Sequence, residues 1–497
     1  MSATGEPIAT PSAPAGGSGA DDDQNVATRL LRGGGARGAA YILSNGLAAL
    51  TAAFLTVYLG TVGFGEYTRI MALSAVLFVV ADSGTSNLAA RELSEGDPRD
   101  RVASIIGLRS LLACLAMLIM VGVALVAGWR EELVIGSALA GAGLMSAVAL
   151  TTYLVPSYAD LELERVALYE LLFPSLSSLF ILGAVVADAS IAVILAGQVI
   201  VAVPLALSAL RRARGRMPLR PVLHPRRIAP LVLEGASFAI AVSIGTLLCN
   251  AAQLSVSAVA DLHTQGVAGL AWRVMVAGLA AAPVLVNGAI PALTAAGADD
   301  QRLATAVEKL VGLVAAAGGV IAVGAFVAAP TIVSLLSDAR YDGAVEVLQV
   351  YAPVAPLTFM AAAGGMALLA VSQHRKLGLA NGLAFAATVA GTIVAVQAFD
   401  EVGLAVGNLV GVVVLLVGQV LIWRSMRRTA TPRLGATLKC LVITAIAIAV
   451  GALAPVPNLL QVALALLVYV GGLFATRALP PEATNLLARL KPGRAAT

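Results

Sequence analysis

The chain has 497 residues, of which 59% are hydrophobic and only 12% charged, and its mean hydropathy of +0.91 lies far above the range of soluble domains. Apolar runs of about 20 residues, the length a bilayer requires, recur along almost the whole chain, and the polar breaks between them leave no room for a sizeable soluble domain. A net charge of +4 and a pI of about 9.1 do not point to nucleic acid, because the basic residues sit in short breaks where they set membrane topology.

Residues 1–36, rich in Ala, Gly, Ser and Pro and carrying Asp21, Asp22 and Asp23, lack an apolar core. They are expected to form a disordered tail, with no cleavable signal peptide. Fourteen candidate spans follow, beginning near Gly38, Tyr67, Val102, Leu133, Leu168, Ser190, Gly235, Gly266, Val307, Val347, Leu377, Val402, Leu434 and Asn458. The expected class is an all-α polytopic membrane protein. Six spans fall in residues 37–210, a basic linker in 211–227, six more in 228–428, two in 429–478 and a tail in 479–497.

With the N-terminus inside, most Lys and Arg collect on the inner side. They include Arg29, Arg32 and Arg37 before the first span, Arg91, Arg99 and Arg101 after the second, and the run RRARGRMPLRPVLHPRR from Arg211 to Arg227 after the sixth. Arg69, Arg130 and Arg340 fall outside. This asymmetry places both termini in the cytoplasm. The run at Arg211 reads as a topology signal and as a contact for anionic lipid headgroups.

Because six is even, the second set of spans starts from the same side as the first, so any repeat is parallel. GEYTRIM (Gly65 to Met71) in the second span and GLAWRVM (Gly269 to Met275) in the eighth share G-x-x-x-R-[IV]-M and put Arg69 and Arg273 at equivalent points.

Ionisable groups inside spans are costly and mark candidate sites. Arg273 lies about seven residues into its helix, roughly 10 Å at 1.5 Å per residue. It either snorkels to the interface or faces a polar cavity, where its planar fork suits a phosphate or an acidic sugar. Arg69, a few residues from its helix end, leans toward the interface. Asp82 and Arg109 sit at similar depth on antiparallel neighbours and are expected to pair, as a structural salt bridge or as a pair that breaks during motion; a lone Asp82 would instead serve proton coupling. Asn250 and Gln253, three apart on one helix face, and Asn45 in the first span are candidates for interhelical hydrogen bonds or for lining a path that meets sugar hydroxyls. Glu234 and Asn287 join them. Prolines inside spans, at Pro174, Pro204, Pro283, Pro353 and Pro356, would kink helices, and small-residue runs such as Ala140 to Gly143 permit close packing. Cys114, Cys249 and Cys440 fall in apolar runs and His224, His263 and His374 are scattered, so no disulfide, metal or cofactor is expected.

The motif YLGTVGFGEY (Tyr58 to Tyr67), the ADSG of Ala81 to Gly84, the REL of Arg91 to Leu93, and ARYDGA before the tenth span with Asn381 in the eleventh resemble Wzx-type polysaccharide flippases. These belong to the multidrug/oligosaccharidyl-lipid/polysaccharide exporter superfamily. The resemblance implies two parallel six-helix lobes around a central cavity, two peripheral C-terminal helices, and alternating access. It further implies a bacterial cell membrane location and a polyprenyl-diphosphate-linked glycan as substrate, with membrane lipids and possible partners in a polysaccharide polymerase and glycosyltransferases. An enzyme is not expected, since there is no long outer loop with a catalytic His and no Gly-rich nucleotide loop. The rival is a cation-coupled multidrug antiporter of the same superfamily, and a carrier that binds without transporting is a third reading.

Overall fold

The computed structural model describes residues 19–82, 85–94, 99–160, 162–224, 247–279, 281–287, 299–426 and 432–476, with isolated positions between them. Among these residues the chain is helical and contains no strand. The first half comprises α1 (Gly19–Asp82), α2 (Thr85–Ser94), α3 (Arg99–Val126), α4 (Glu131–Tyr153), α5 (Val155–Ala159), α6 (Leu163–Val186) and α7 (Ile191–Ala213). The second half comprises α8 (Leu247–Val259), α9 (Leu262–Leu279), α10 (Ala281–Asn287), α11 (Asp300–Val327), α12 (Ala329–Leu336), α13 (Gly343–Tyr351), α14 (Val354–Ala370), α15 (His374–Phe399) and α16 (Gly403–Ser425). Last come α17 (Gly435–Leu453) and α18 (Asn458–Ala475). By length and composition ten stretches of helix among the described residues could cross a membrane, and two of them, Gly46–Asp82 and His374–Ser425, are divided by a break, at Gly60 and at Asp400–Val402. The protein is a multi-pass membrane protein.

The break in α1 is Gly60, at φ 63° and ψ −179°, a backbone region essentially reserved for glycine. The second span therefore starts at Thr61 and not near Tyr67. Hydropathy reads Thr61 to Glu66 as a loop, but Gly65 is packed against the backbone of α9 and Glu66 is neutralised by an arginine. The first helix likewise starts at Gly19, inside the stretch expected to be an unstructured tail. The expected start of the seventh span, with Glu234, lies outside the described residues, as do residues 1–18 and the 479–497 tail.

Small residues let the helices approach closely, as they must where lipid gives no hydrophobic drive for association. Gly403, Gly407 and Gly411, one every four residues on α16, meet Val396, Thr392 and Thr388 of α15. In the Ala140 to Gly143 run, Gly141 faces Met117 of α3 and Gly143 faces Gln198 of α7. Pro174 and Pro204 lie inside α6 and α7. Pro353 instead caps the start of α14 and divides the tenth span in two. The side chain of Pro283 is outside the described residues. The C-terminal pair packs on α11 of the second half, where Tyr469 Oη donates to Ala316 O at 2.8 Å.

Candidate functional site

The second arm of α1 (residues 61–82) and α9 form a tight seam between the two halves. A Cβ on Gly65 would lie 2.1 Å from Leu262 O, one on Gly266 2.1 Å from Thr61 O, and one on Gly269 2.9 Å from the Thr68 side chain. Backbone thus touches backbone where the two helices begin. The same end is closed by polar and aromatic contacts across the halves. His263 Nδ1 lies 2.9 Å from Thr61 Oγ1, Thr56 Oγ1 donates to Leu336 O at 2.6 Å, and Tyr341 Oη donates to Thr56 O at 3.3 Å. Phe64 stacks near Tyr67 at 6.0 Å and meets Tyr341 edge-on at 6.2 Å. The GFGEY and ARYDGA motifs therefore pack against each other through Phe64 and Tyr341.

Electrostatics reinforce this end. Arg340 sits over the Gly60 break and pairs with Asp338, whose carboxyl is held below its usual range by the Arg340 hydrogen bond. Burial pushes the Tyr341 phenol up, so it remains a neutral donor. The Thr264 backbone N–H holds the Asp261 carboxyl below its ordinary value at the start of α9.

Both glycines of the G-x-x-x-R motif, Gly65 and Gly269, face the seam, and residues four apart share a helix face. Arg69 and Arg273 consequently stand one turn beyond the contact, each on the helix that forms its side of the seam. Their environments differ. Arg273 is half-buried and has no ion-pair partner among the described residues. Arg69 lies two turns inside its helix rather than at the end. Its guanidinium carbon is 5.3 Å from the Trp129 ring centroid, and its Nε is buried without a hydrogen-bond partner among the described residues. One turn before it, the buried Glu66 pairs with Arg130, which also lies 3.8 Å from Glu132. Sequence reasoning passed over Glu66; its place one turn before an in-span arginine was the available signal.

Asp82 and Arg109 do meet. Arg109 Nη2 lies 2.8 Å from Asp82 Oδ1, and the guanidinium is wholly buried. Its remaining donors reach Thr152 Oγ1 (2.7 Å), Thr151 Oγ1 (2.7 Å), Thr85 Oγ1 (3.0 Å) and Asp82 O (3.3 Å). Ser86 Oγ donates to Asp82 Oδ2 at 3.2 Å. All of these partners belong to α1–α4. The pair clasps one half internally and does not bridge the two.

Asn250 and Gln253 are buried in the packing of the second half and do not stand on an open wall. Gln253 Nε2 donates to Gln265 O at 3.4 Å, while Gln253 Oε1 and both polar side-chain atoms of Gln265 have no partner among the described residues. Asn408 is fully buried, and its amide is similarly unpartnered. Gln265 and Asn408 were not singled out in the sequence, because lone amides in apolar runs carry no spacing signal. The side chains of Asn45 and Asn287 lie outside the described residues. No group of three His, Cys, Asp or Glu able to hold a metal occurs among the described residues.

A family model described as "Polysaccharide biosynthesis protein" matches residues 30–294. No curated protein sequence matches the chain. Among solved structures, the fold is similar to the lipid II flippase MurJ in an inward closed conformation, at 13% identity over 88% of this chain and 97% of that one, with a TM-score of 0.69. It is also similar to an inward-facing multidrug resistance MATE family transporter of the MOP superfamily, at 15% identity over 79% and 96% of the two chains, with a TM-score of 0.59. A MOP superfamily transporter from Pyrococcus furiosus matches at 14% identity over 80% and 96%, with a TM-score of 0.54. At these identities the likeness is one of fold.

Proposed function

The chain belongs to the polysaccharide biosynthesis protein family and has the fold of MOP superfamily transporters, and from this premise we propose that it is a flippase carrying a polyprenyl-diphosphate-linked oligosaccharide from the inner to the outer leaflet of a bacterial cell membrane. The observation that carries this reading is the pair of seam arginines. Arg273 has no counter-ion among the described residues, and Arg69 keeps a buried donor without an acceptor. A diphosphate offers such groups the multiple acceptor oxygens and negative charge they lack, and the planar arginine fork suits it. With both termini cytoplasmic, the closed seam faces outward. Arg69 and Arg273 then lie just below it, where a headgroup entering from the inner side would meet them while its lipid tail stays in the bilayer.

The carboxylates favour the same choice. A cation antiporter needs intramembrane acids free to exchange their cation, whereas Asp82 is paired with Arg109 and Glu66 with Arg130. What remains uncompensated is positive, which selects for an anionic substrate. Alternating access requires the seam to part and the opposite end to close, with the two six-helix lobes moving as bodies and α17 and α18 travelling with the second. The chain performs no bond chemistry. Glycosyltransferases that build the glycan and a polymerase that consumes it are its functional neighbours.

The test is export of surface polysaccharide in cells carrying Arg273→Ala or Arg273→Lys at wild-type membrane levels. The alanine variant should lose export, and the lysine variant, which keeps charge without the fork, should recover only part. Unchanged export in Arg273→Ala removes the site; loss of drug resistance with unchanged polysaccharide would support the multidrug antiporter instead.

A further inference from the structure

The basic segment after α7 is a folded ledge. Val222 N–H donates to Ala103 O at 3.1 Å, and Gly107 of α3 lies so close beneath it that a Cβ there would fall 2.5 Å from Val222 O. Met217 is buried against α3, and Arg216 is paired with Asp160 and Glu162 in the turn before α6. The ledge's charge is thereby divided. Arg216 is neutralised, whereas Arg211, Arg214 and Arg220 are exposed and have no carboxylate partner among the described residues.

Directly against this ledge, a slot of about 210 Å³ opens between α3 and α4. Ile106, Ser110 and Cys114 line one side, and Met145, Thr152 and Tyr153 the other. Its wall is mostly apolar, and the Thr152 hydroxyl is already occupied by Arg109. At about 30 Å³ per water the slot has the volume of several waters but few groups to hold them. The neighbouring α3 surface, with Leu111, Leu115 and Leu118 exposed, is a lipid-facing one. Slot and ledge are continuous: Ile106 and Tyr153 line the slot and also belong to the cluster in which Met217 and Leu219 seat the ledge.

We propose that slot and ledge together form a binding site for an anionic phospholipid of the inner leaflet, with an acyl chain lying between α3 and α4 and the phosphate headgroup against Arg214 and Arg220. An apolar slot alone would accept any lipid chain. The uncompensated arginines on the adjoining ledge select the headgroup charge, each worth roughly fivefold in binding near an anionic surface. The site is separate from Arg69 and Arg273 and does not depend on the transported substrate.

The experiment uses the purified full-length protein and two probes with the same diazirine-bearing acyl chain, one on phosphatidylglycerol and one on phosphatidylcholine. The expected result is cross-linking of the phosphatidylglycerol probe to residues 106–114 and 145–153 at about tenfold or more over phosphatidylcholine. Phosphatidylglycerol should also protect Cys114 from N-ethylmaleimide, while the buried Cys249 and Cys440 stay unreactive in both conditions and report that the fold is intact. Arg214→Gln with Arg220→Gln should reduce the phosphatidylglycerol yield to the phosphatidylcholine level, and Ala149→Phe, which fills the slot, should abolish labelling by both. Equal labelling by the two probes, or labelling indifferent to the arginine replacements, overturns the proposal. Displacement of phosphatidylglycerol by equimolar undecaprenyl phosphate would assign the slot to a polyprenyl chain and overturn it equally.

Discussion

Gly266→Ala probes the seam most sharply. Its Cβ would stand 2.1 Å from Thr61 O, whereas ordinary contact begins at 3.4 Å, so α1 and α9 must part by about 1.3 Å at this point. Both contacting groups are helix backbone and cannot give way by changing rotamer. Overpacking of this kind costs about 1–3 kcal/mol, and the cost falls only on the state in which the seam is closed. A parted seam is therefore favoured by about 5- to 150-fold relative to the native equilibrium. The assay places a reporter, Thr61→Cys, in a background with Cys114, Cys249 and Cys440 replaced by Ala, and measures its reaction with a membrane-impermeant maleimide added from outside. Thr61 is buried in the closed seam, so labelling should be at least about fivefold faster with Gly266→Ala than with Gly266. Equal labelling rates in two proteins of equal melting temperature would refute the idea that this glycine contact holds the end shut.

Asp82→Ala should lower stability by about 3–5 kcal/mol, because Arg109 would be left buried without its counter-charge; the double variant Asp82→Leu/Arg109→Met should recover much of the loss in thermal melts, and transport by it would establish the pair as a structural clasp. Gly60→Ala forces a side chain into a glycine-only conformation 2.9 Å from Arg340 Nη1 and should cost about 1–3 kcal/mol, read as a lower melting temperature and increased outside accessibility near Thr56. Burial disfavours the Glu162 carboxylate, but hydrogen bonds from Ser157 and Arg165 and the charges of Arg216 and Arg165 outweigh it and hold its pKa below the ordinary 4.5. A depressed carboxylate stabilises the folded form above its unfolded pKa and loses that contribution as pH falls through the folded one. Protection factors for amide exchange in residues 214–224, corrected for the intrinsic pH dependence of exchange, should therefore fall on acidification below about pH 4.5 in the native chain, and Glu162→Gln should show the reduced protection already at neutral pH; protection in the native chain that does not change with pH would contradict this.

The span architecture was largely legible because hydrocarbon burial imposes length and composition directly, and each expected segment from Gly38 to Asn458 has a helical counterpart, the seventh described only over Leu247–Val259. The failures share a cause. Thr61 to Glu66 looked like a loop, since hydropathy cannot register that Gly65 is pressed against the backbone of α9 and that Glu66 is paired with Arg130 from a distant turn. Depth counting was sufficient to bring Asp82 and Arg109 together, because antiparallel neighbours at equal depth have few other partners. It could not reveal that Thr85, Thr151 and Thr152 complete the shell and keep the pair within one half. Asn250 and Gln253 were legible as buried amides, but which face of a uniformly apolar helix turns toward a path and which toward packing is a tertiary fact. The G-x-x-x-R repeat was visible as letters; that its glycine makes the seam and its arginine emerges just past it required the structure.

On the proposed function, the arginines below the seam hold the diphosphate of a lipid-linked oligosaccharide while it crosses the bilayer. The most direct measurement is translocation of a fluorescent polyprenyl-diphosphate oligosaccharide in vesicles containing the purified chain, scored by access of an external glycan-cleaving enzyme. Translocation should depend on the protein, be lost in Arg273→Ala and partly kept in Arg273→Lys, with no comparable movement of a cationic dye. Translocation indifferent to Arg273, or a cationic dye carried in its place, would contradict it.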